Sequence, residues 1–271
     1  MPSKTKQPGD AIHPDCGSVE NWIQMIEFTT IFVFSILQSI FGIGILFFGT
    51  PTLILMGFTF VETLSVLLPA SIAVSLFQVA KGGLPERRLI GTYAGWCLAP
   101  LAITLIASLL FGWDVELNLF VAVALSVYVA IRLSRRMESV LRSSVRRLPK
   151  VWLPVIGVVH GASNLGGGLL AIFATNAFDD KATVRSNIAF CYLCFAAIQL
   201  LTLTVLKSQV MHAAQLGYAA LAVAVFIVTD RQVFGAISTP VFDRVLTIMI
   251  GCYAALIFLK LFGAFSGPAG I

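Results

Sequence analysis

A histidine, an arginine and a few amides and hydroxyls sit within sequence otherwise suited to hydrocarbon. His160 is the one histidine inside a long apolar run, shortly before Gly166-Gly167-Gly168. An imidazole with an ordinary pKa of about 6.5 could hold an anion when protonated or carry a coupling proton. The alternative is a neutral ring hydrogen-bonded to a neighbouring helix. Ser163 and Asn164 stand immediately before the same glycines, and Gln38 and Ser39 take the matching place before Gly42-Ile43-Gly44. Amide and hydroxyl donors suit the oxygens of a sulfonate or sulfite because they bring no counter-charge. Each could equally bond another helix, and that is the reading for Ser39. Thr50 and Asn176 follow the two glycine clusters and complete a cavity lining. Arg185 offers a planar fork that matches a three-oxygen anion, or it pairs with Asp179 or Asp180. The candidate substrate-binding set is thus His160, Asn164, Ser163, Gly166, Gly167, Gln38, Gly42, Gly44, Thr50, Asn176 and Arg185.

The elements that must position these groups follow from composition. Of 271 residues 58% are hydrophobic and only 11% charged, with a mean hydropathy of +0.93. A soluble domain has roughly 25% charged residues, so a soluble enzyme, a DNA-binding domain and a disordered chain are excluded as the main reading. An all-α polytopic membrane protein is expected, with about eight transmembrane helices in two four-helix repeats whose first helices are broken by Gly and Pro. Residues 1–21 form a polar tail, 22–134 the first repeat, 135–150 a basic connector and 151–271 the second repeat. The spans are expected at about 23–48, 62–80, 89–111, 117–134, 151–177, 185–206, 211–229 and 240–262. A short half-helix is placed around 51–57, and whether 51–57 and 169–177 are re-entrant stays open.

Loop charge sets the expected orientation. The N-terminus, the 81–88, 132–150 and 207–210 loops and the C-terminal end hold every Lys and Arg except Lys181, Arg185, Arg231 and Arg244. The positive-inside rule then puts both termini in the cytoplasm of a bacterial inner-membrane protein, with the halves related as a parallel repeat. Lys181 reads as a solvated loop charge, and Arg231 and Arg244 as ion pairs with Asp230 and Asp243. The connector cations suit anionic lipid rather than nucleic acid. The phenylalanines read as lipid-facing bulk, and no cofactor or metal is implied. The cysteines are read as packing residues: Cys191 and Cys194 have C-x-x-C spacing but lie in mid-span. No cleavable signal peptide is read in the tail, whose residues precede any apolar run. No P-loop and no H-E-x-x-H is present, so the chain is read as a non-enzyme that does not itself use ATP.

The two glycine clusters matter as a pair. Glycine-interrupted segments at corresponding places in two halves point to a transporter's binding site. A broken helix exposes backbone N–H groups whose partial positive charge can hold an anion at membrane depth. The competing use of glycine is close helix packing. With Gly42-Ile43-Gly44, Pro51 and Gly57 in one half, and Gly161 to Gly168 and Asp180 to Asn187 in the other, the chain resembles the sulfite exporter TauE/SafE family, also called the toluene-sulfonate uptake permease family. The basic turn Gly83-Leu84-Pro85-Glu86-Arg87-Arg88 is similar as well. The resemblance implies a secondary transporter of a small sulfur-containing or organic anion, such as sulfite, a sulfonate or sulfoacetate, driven by an ion or proton gradient. Its implied partners are the anionic substrate and membrane lipid, with a homodimer left open. An anion channel is the first alternative. An intramembrane serine protease built on Ser163 is the second.

Overall fold

The computed structural model describes residues 16–111, 126, 127, 129, 130, 133–207 and 213–261, and every regular element among them is helical. In chain order these are α1 (Cys16–Phe41), α2 (Ile45–Leu55), α3 (Phe60–Gly82), α4 (Arg87–Phe111), α5 (Arg135–Arg147), α6 (Pro149–Ser163), α7 (Gly167–Ala177), α8 (Lys181–Lys207), α9 (Ala213–Phe234) and α10 (Thr239–Leu261). Six of them are long and apolar enough to cross a membrane: α1, α3, α4, α8, α9 and α10. A hydrocarbon core of about 30 Å needs about 20 residues. The 11-residue helices α2 and α7 and the 15-residue α6 fall short of that. The expected span 117–134 lies mostly outside the described residues.

Local chemistry explains the boundaries. Gly42 has φ 78° and ends α1 in a left-handed turn, a conformation that costs glycine nothing. The expected helix 23–48 is therefore two helices, and the half-helix begins at Ile45 instead of 51. Pro51 lies inside α2, where it cannot donate to the ladder. The hydroxyls of Thr52 and Tyr253 both donate to the neighbouring Phe48 carbonyl. Likewise the expected span 151–177 is α6 and α7, parted at residues 164–166. A capping box starts α3: the Thr59 N–H donates to Glu62 Oε2 at 2.8 Å, and the Glu62 N–H returns to the Thr59 hydroxyl at 3.3 Å.

Each short helix folds back on the helix before it. Phe34 of α1 stacks on Phe48 of α2 with ring centroids 5.8 Å apart. Met56, Gly57 and Phe58, just past α2, line one hollow together with Ile23 and Glu27 near the start of α1. That hollow also touches Glu62 at the start of α3 and Gln215 of α9, and it marks the first face. The opposite end of α3, at Gly82, opens on a hollow of about 760 Å³ that marks the second face. Pro149 and Lys150 at the start of α6 and Phe178 just past α7 line that same hollow. The α1–α2 hairpin therefore opens on the first face and the α6–α7 hairpin on the second.

This geometry corrects the expected parallel relation of the halves, because α1 and α6 run in opposite directions. It also corrects the grouping of charged loops. Lys81 and Arg185, expected on opposite sides, both pair with Asp230. The reason is that α2 returns the chain to its starting face, a crossing that residue counting had not included. The 81–88 turn, the basic connector, Lys181, Arg185 and Arg231 accordingly share the second face.

The amphipathic α5 lies across that face. Its Leu141 and Val145 are buried while Met137 and Val140 are exposed. Arg146 Nε donates to the Asn176 carbonyl at 2.9 Å in the last turn of α7, and Arg142 and Arg146 each reach Asp179 at 3.0 Å. A cation at a helix C-terminus complements the unpaired carbonyls there. The phenylalanines divide, contrary to expectation: Phe28 and Phe32 are exposed, but Phe41, Phe47, Phe48, Phe195 and Phe242 are fully buried.

Candidate functional site

The tip of the α6–α7 hairpin meets the middle of α2 and α8 in the core of the molecule. Asn164 holds φ 62°, the one left-handed residue other than glycine among those described. Asparagine tolerates that conformation better than most residues. Its amide nitrogen donates to the Thr50 hydroxyl of α2 at 2.6 Å, and its Oδ1 accepts from Gln199 Nε2 of α8 at 3.2 Å. Ser163 fixes the turn itself: its hydroxyl donates to the Val159 carbonyl at 2.6 Å and accepts from the Leu165 N–H at 3.2 Å. The tip is packed from behind, since a Cβ on Gly166 would lie 2.7 Å from the Ile156 carbonyl oxygen.

The turn that follows is unlike an ordinary helix start. α7 begins on Gly167 and Gly168, and its first turn has no side-chain cap, so N–H groups there lack intrahelical partners. Around it lie buried polar atoms without a hydrogen bond: both ring nitrogens of His160, the Tyr192 hydroxyl and Gln199 Oε1. The Tyr192 hydroxyl is aimed at the start of α7, so closely that a Cβ on Gly167 would overlap it at 1.6 Å. The His160 ring sits edge-on to Tyr192, 5.6 Å between centroids, and 4.4 Å from Phe195. Gln199 is close enough to interact with the imidazole but not at hydrogen-bonding geometry. Buried donors almost always find partners. The imidazole and the phenol are the donors among these groups, and beside an uncapped helix N-terminus they suit a small anion with several oxygens.

The first break is built from different contacts. Gln38 Oε1 accepts from the Ile45 N–H at 3.1 Å, while its Nε2 donates to the Ser75 hydroxyl at 3.0 Å and the Ser71 carbonyl at 3.2 Å. Gln78 Nε2 donates to the Gln38 carbonyl at 2.6 Å. A Cβ on Gly44 would lie 2.4 Å from both the Gln38 nitrogen and the Phe34 carbonyl oxygen. One on Gly42 would lie 3.0 Å from the Arg185 carbonyl oxygen. Here the glycines serve close packing, and the exposed N–H group expected at this break is already taken.

Of the candidate residues, the structure brings His160, Asn164, Ser163, Gly166, Gly167 and Thr50 to one place. Gln38, Gly42, Gly44 and Arg185 gather at the other break. Asn176 belongs to neither: its Nδ2 donates to the Ile172 carbonyl at 2.8 Å, one turn back in α7. Arg185 is paired with Asp230 at 2.5 Å, not with Asp179 or Asp180, donates to the Ser39 carbonyl at 3.0 Å and lies 3.4 Å over the Phe234 ring. Asp230 therefore joins Lys81 and Arg185 in place of the expected neighbour Arg231. Lys181 is not a solvated charge either, since it donates to the Phe234 carbonyl at 2.8 Å and to that of Ile237. Tyr192 and Gln199 were missed by sequence reasoning. The available signal was their seven-residue spacing, which places both on one face of an apolar helix.

The chain matches no protein-family model, no curated protein and no solved structure. Six apolar helices of membrane-crossing length make it compatible with a multi-pass membrane protein.

Proposed function

We propose that this protein is a secondary transporter for a small oxyanion of the sulfite, sulfonate or sulfoacetate class, of the TauE/SafE type, and that the anion is held at the start of α7. The observation that carries the reading is the uncapped first turn of α7 facing the unpaired groups of His160 and Tyr192. Taking an oxyanion out of water costs several kcal/mol, so several converging donors are needed. Backbone N–H groups, the imidazole and the phenol supply them, and the Asn164 amide fixes the turn that presents them. The serine-protease alternative has less support, because the Ser163 hydroxyl is committed to its own hairpin and neither His160 nitrogen bonds to it.

The test is uptake into proteoliposomes of sulfite, thiosulfate, isethionate, taurine and sulfoacetate, with and without a proton gradient. At least one is expected to accumulate. No accumulation above protein-free liposomes would overturn the reading. His160→Ala should weaken binding of the transported anion by about 1–3 kcal/mol, the usual cost of deleting a partner from a buried polar group, and Asn164→Ala should act similarly. Arg231→Ala, on the exposed rim, should leave affinity unchanged. Affinities of both core variants within twofold of wild type would place the site elsewhere.

The opposed hairpins further support two repeats of inverted topology, α1 to α4 answering α6 to α9. Short broken helices followed by long ones recur in both, and so do the π-turns Ala94–Leu98 and Asp230–Phe234. In a bacterial inner membrane the basic second face is then the cytoplasmic one. Both ends of the described chain lie on the first face, outside, the reverse of the orientation that loop counting suggests. A membrane-impermeant maleimide added to intact cells should label Met56→Cys and spare Ser143→Cys. Labelling of Ser143→Cys alone would invert the assignment.

A further inference from the structure

The two breaks are built to one plan but differ in the side chains that face the start of the short helix. Gln38 stands seven residues before Ile45, the first residue of α2, and His160 stands seven before Gly167, the first of α7. Gly42 and Asn164, each four residues further along, are both left-handed, with φ 78° and 62°. Gly44 and Gly166 both press on the helix behind them. The opposing helices keep the register as well: Ser71 and Gln78 lie eleven and eighteen residues after the first residue of α3, and Tyr192 and Gln199 the same distances after that of α8. The matching partner of His160 is therefore Gln38. Sequence alone had set Gln38 beside Ser163 and Asn164.

We propose that Gln38 is a built-in occupant of the first break, and that the chain therefore binds one small oxyanion, at the second break only. This rests on the anion-transport reading above. At α2 the Gln38 amide oxygen does what an anion's oxygen would do, accepting the Ile45 N–H at 3.1 Å. Its nitrogen is fully engaged by Ser71 and Ser75, so the amide is locked in that role. A side-chain cap of this kind satisfies one N-terminal donor and adds negative partial charge where the helix start is positive. At α7 the same position carries an imidazole with neither nitrogen bonded, and Tyr192 replaces Ser71 with an unpaired hydroxyl aimed at Gly167. No side-chain oxygen caps the first turn of α7, which leaves its N–H groups to a ligand oxygen. The second break is buried, so the ligand it admits is a compact oxyanion headgroup and not a large one.

The experiment is equilibrium dialysis of radiolabelled sulfite, and separately methanesulfonate, against purified protein in detergent. Wild type is expected to saturate at one anion per chain. His160→Gln places the first-break amide at the second break, with Tyr192 to accept from its nitrogen. It should bind at least tenfold more weakly than His160→Ala, although it retains a polar group. Gln38→Ala should gain a second, weaker anion per chain. Saturation of wild type at two anions, or His160→Gln binding as tightly as His160→Ala, would overturn the inference while leaving the transport reading intact. No binding of either anion by wild type would overturn both. Should Gln38→Ala fail to fold, the wild-type stoichiometry and the two His160 variants decide the matter.

Discussion

Asp230→Ala is expected to destabilise the protein by about 3–5 kcal/mol, the cost of leaving a buried charge without its partner. Asp230 and Arg185 are the most buried ion pair described, with side chains 2% and 7% exposed and 2.5 Å between them. The pair sits in apolar surroundings, where solvent screens little and an orphaned guanidinium has few alternatives. Arg185 also donates to the Ser39 carbonyl at the end of α1, and Asp230 receives Lys81 from α3. The cluster thus ties α1, α3, α8 and α9 together on the second face. Lys81 is more than half exposed, so Lys81→Ala should cost about 1 kcal/mol or less. Exchanging both buried partners, as in Arg185→Met with Asp230→Leu, should recover most of the loss, because desolvation of the pair disappears along with its attraction. Thermal unfolding in detergent, arranged as a double-mutant cycle, measures each term. Asp230→Ala melting at the wild-type temperature would show that the pair holds nothing.

Gly44→Leu and Gly166→Leu should each cost about 4 kcal/mol or more and yield little folded protein. Overpacking a core typically costs about 1–3 kcal/mol when side chains can give way. Here they cannot, because the clashing atoms are backbone. A Cβ on Gly44 meets the Gln38 nitrogen and Phe34 carbonyl at 2.4 Å, and one on Gly166 meets the Ile156 carbonyl at 2.7 Å. Relief requires the two arms of a hairpin to separate. Gly49→Ala is a graded comparison. Its nearest neighbours are the Leu67 methyl groups at 2.9 and 3.2 Å, which can rotate, so a loss of about 1–2 kcal/mol is expected. Gly217→Ala meets nothing within 4 Å and should be neutral or stabilise α9 by up to about 1 kcal/mol. Size-exclusion profiles and melting temperatures of the four variants check the order. A monodisperse Gly44→Leu melting within two or three degrees of wild type would mean that the α1–α2 hairpin is looser than its geometry requires.

Much of the architecture was legible in the chain. Low charge and long apolar runs specify membrane helices, because hydrocarbon accepts only backbone that satisfies itself. Glycine clusters in two of those runs mark the breaks, because glycine adopts tight and left-handed turns at no steric cost. The direction of α2 was not legible. Eleven residues can continue a crossing or reverse it, and the choice rests on contacts distant in sequence, such as Phe34 with Phe48 and the hollow shared by Ile23 and Met56. That one reversal changed the relation of the halves and the face on which every later charge lies.

The site divides in the same way. His160, Asn164 and Ser163 stood out because polar side chains are costly at membrane depth, and the structure keeps them together. Arg185 carried an equally strong signal, yet its charge is matched by Asp230, 45 residues away. Tyr192 and Gln199 gave little signal alone, since a phenol or an amide in an apolar helix gains meaning only from what it faces. The sequence by itself therefore determined that helices form, where they break and which polar groups lie within them, since these depend on each residue's own transfer energy and backbone freedom. Only the tertiary structure decided which of those groups found partners, because hydrogen bonds and ion pairs depend on distances that folding creates between remote residues.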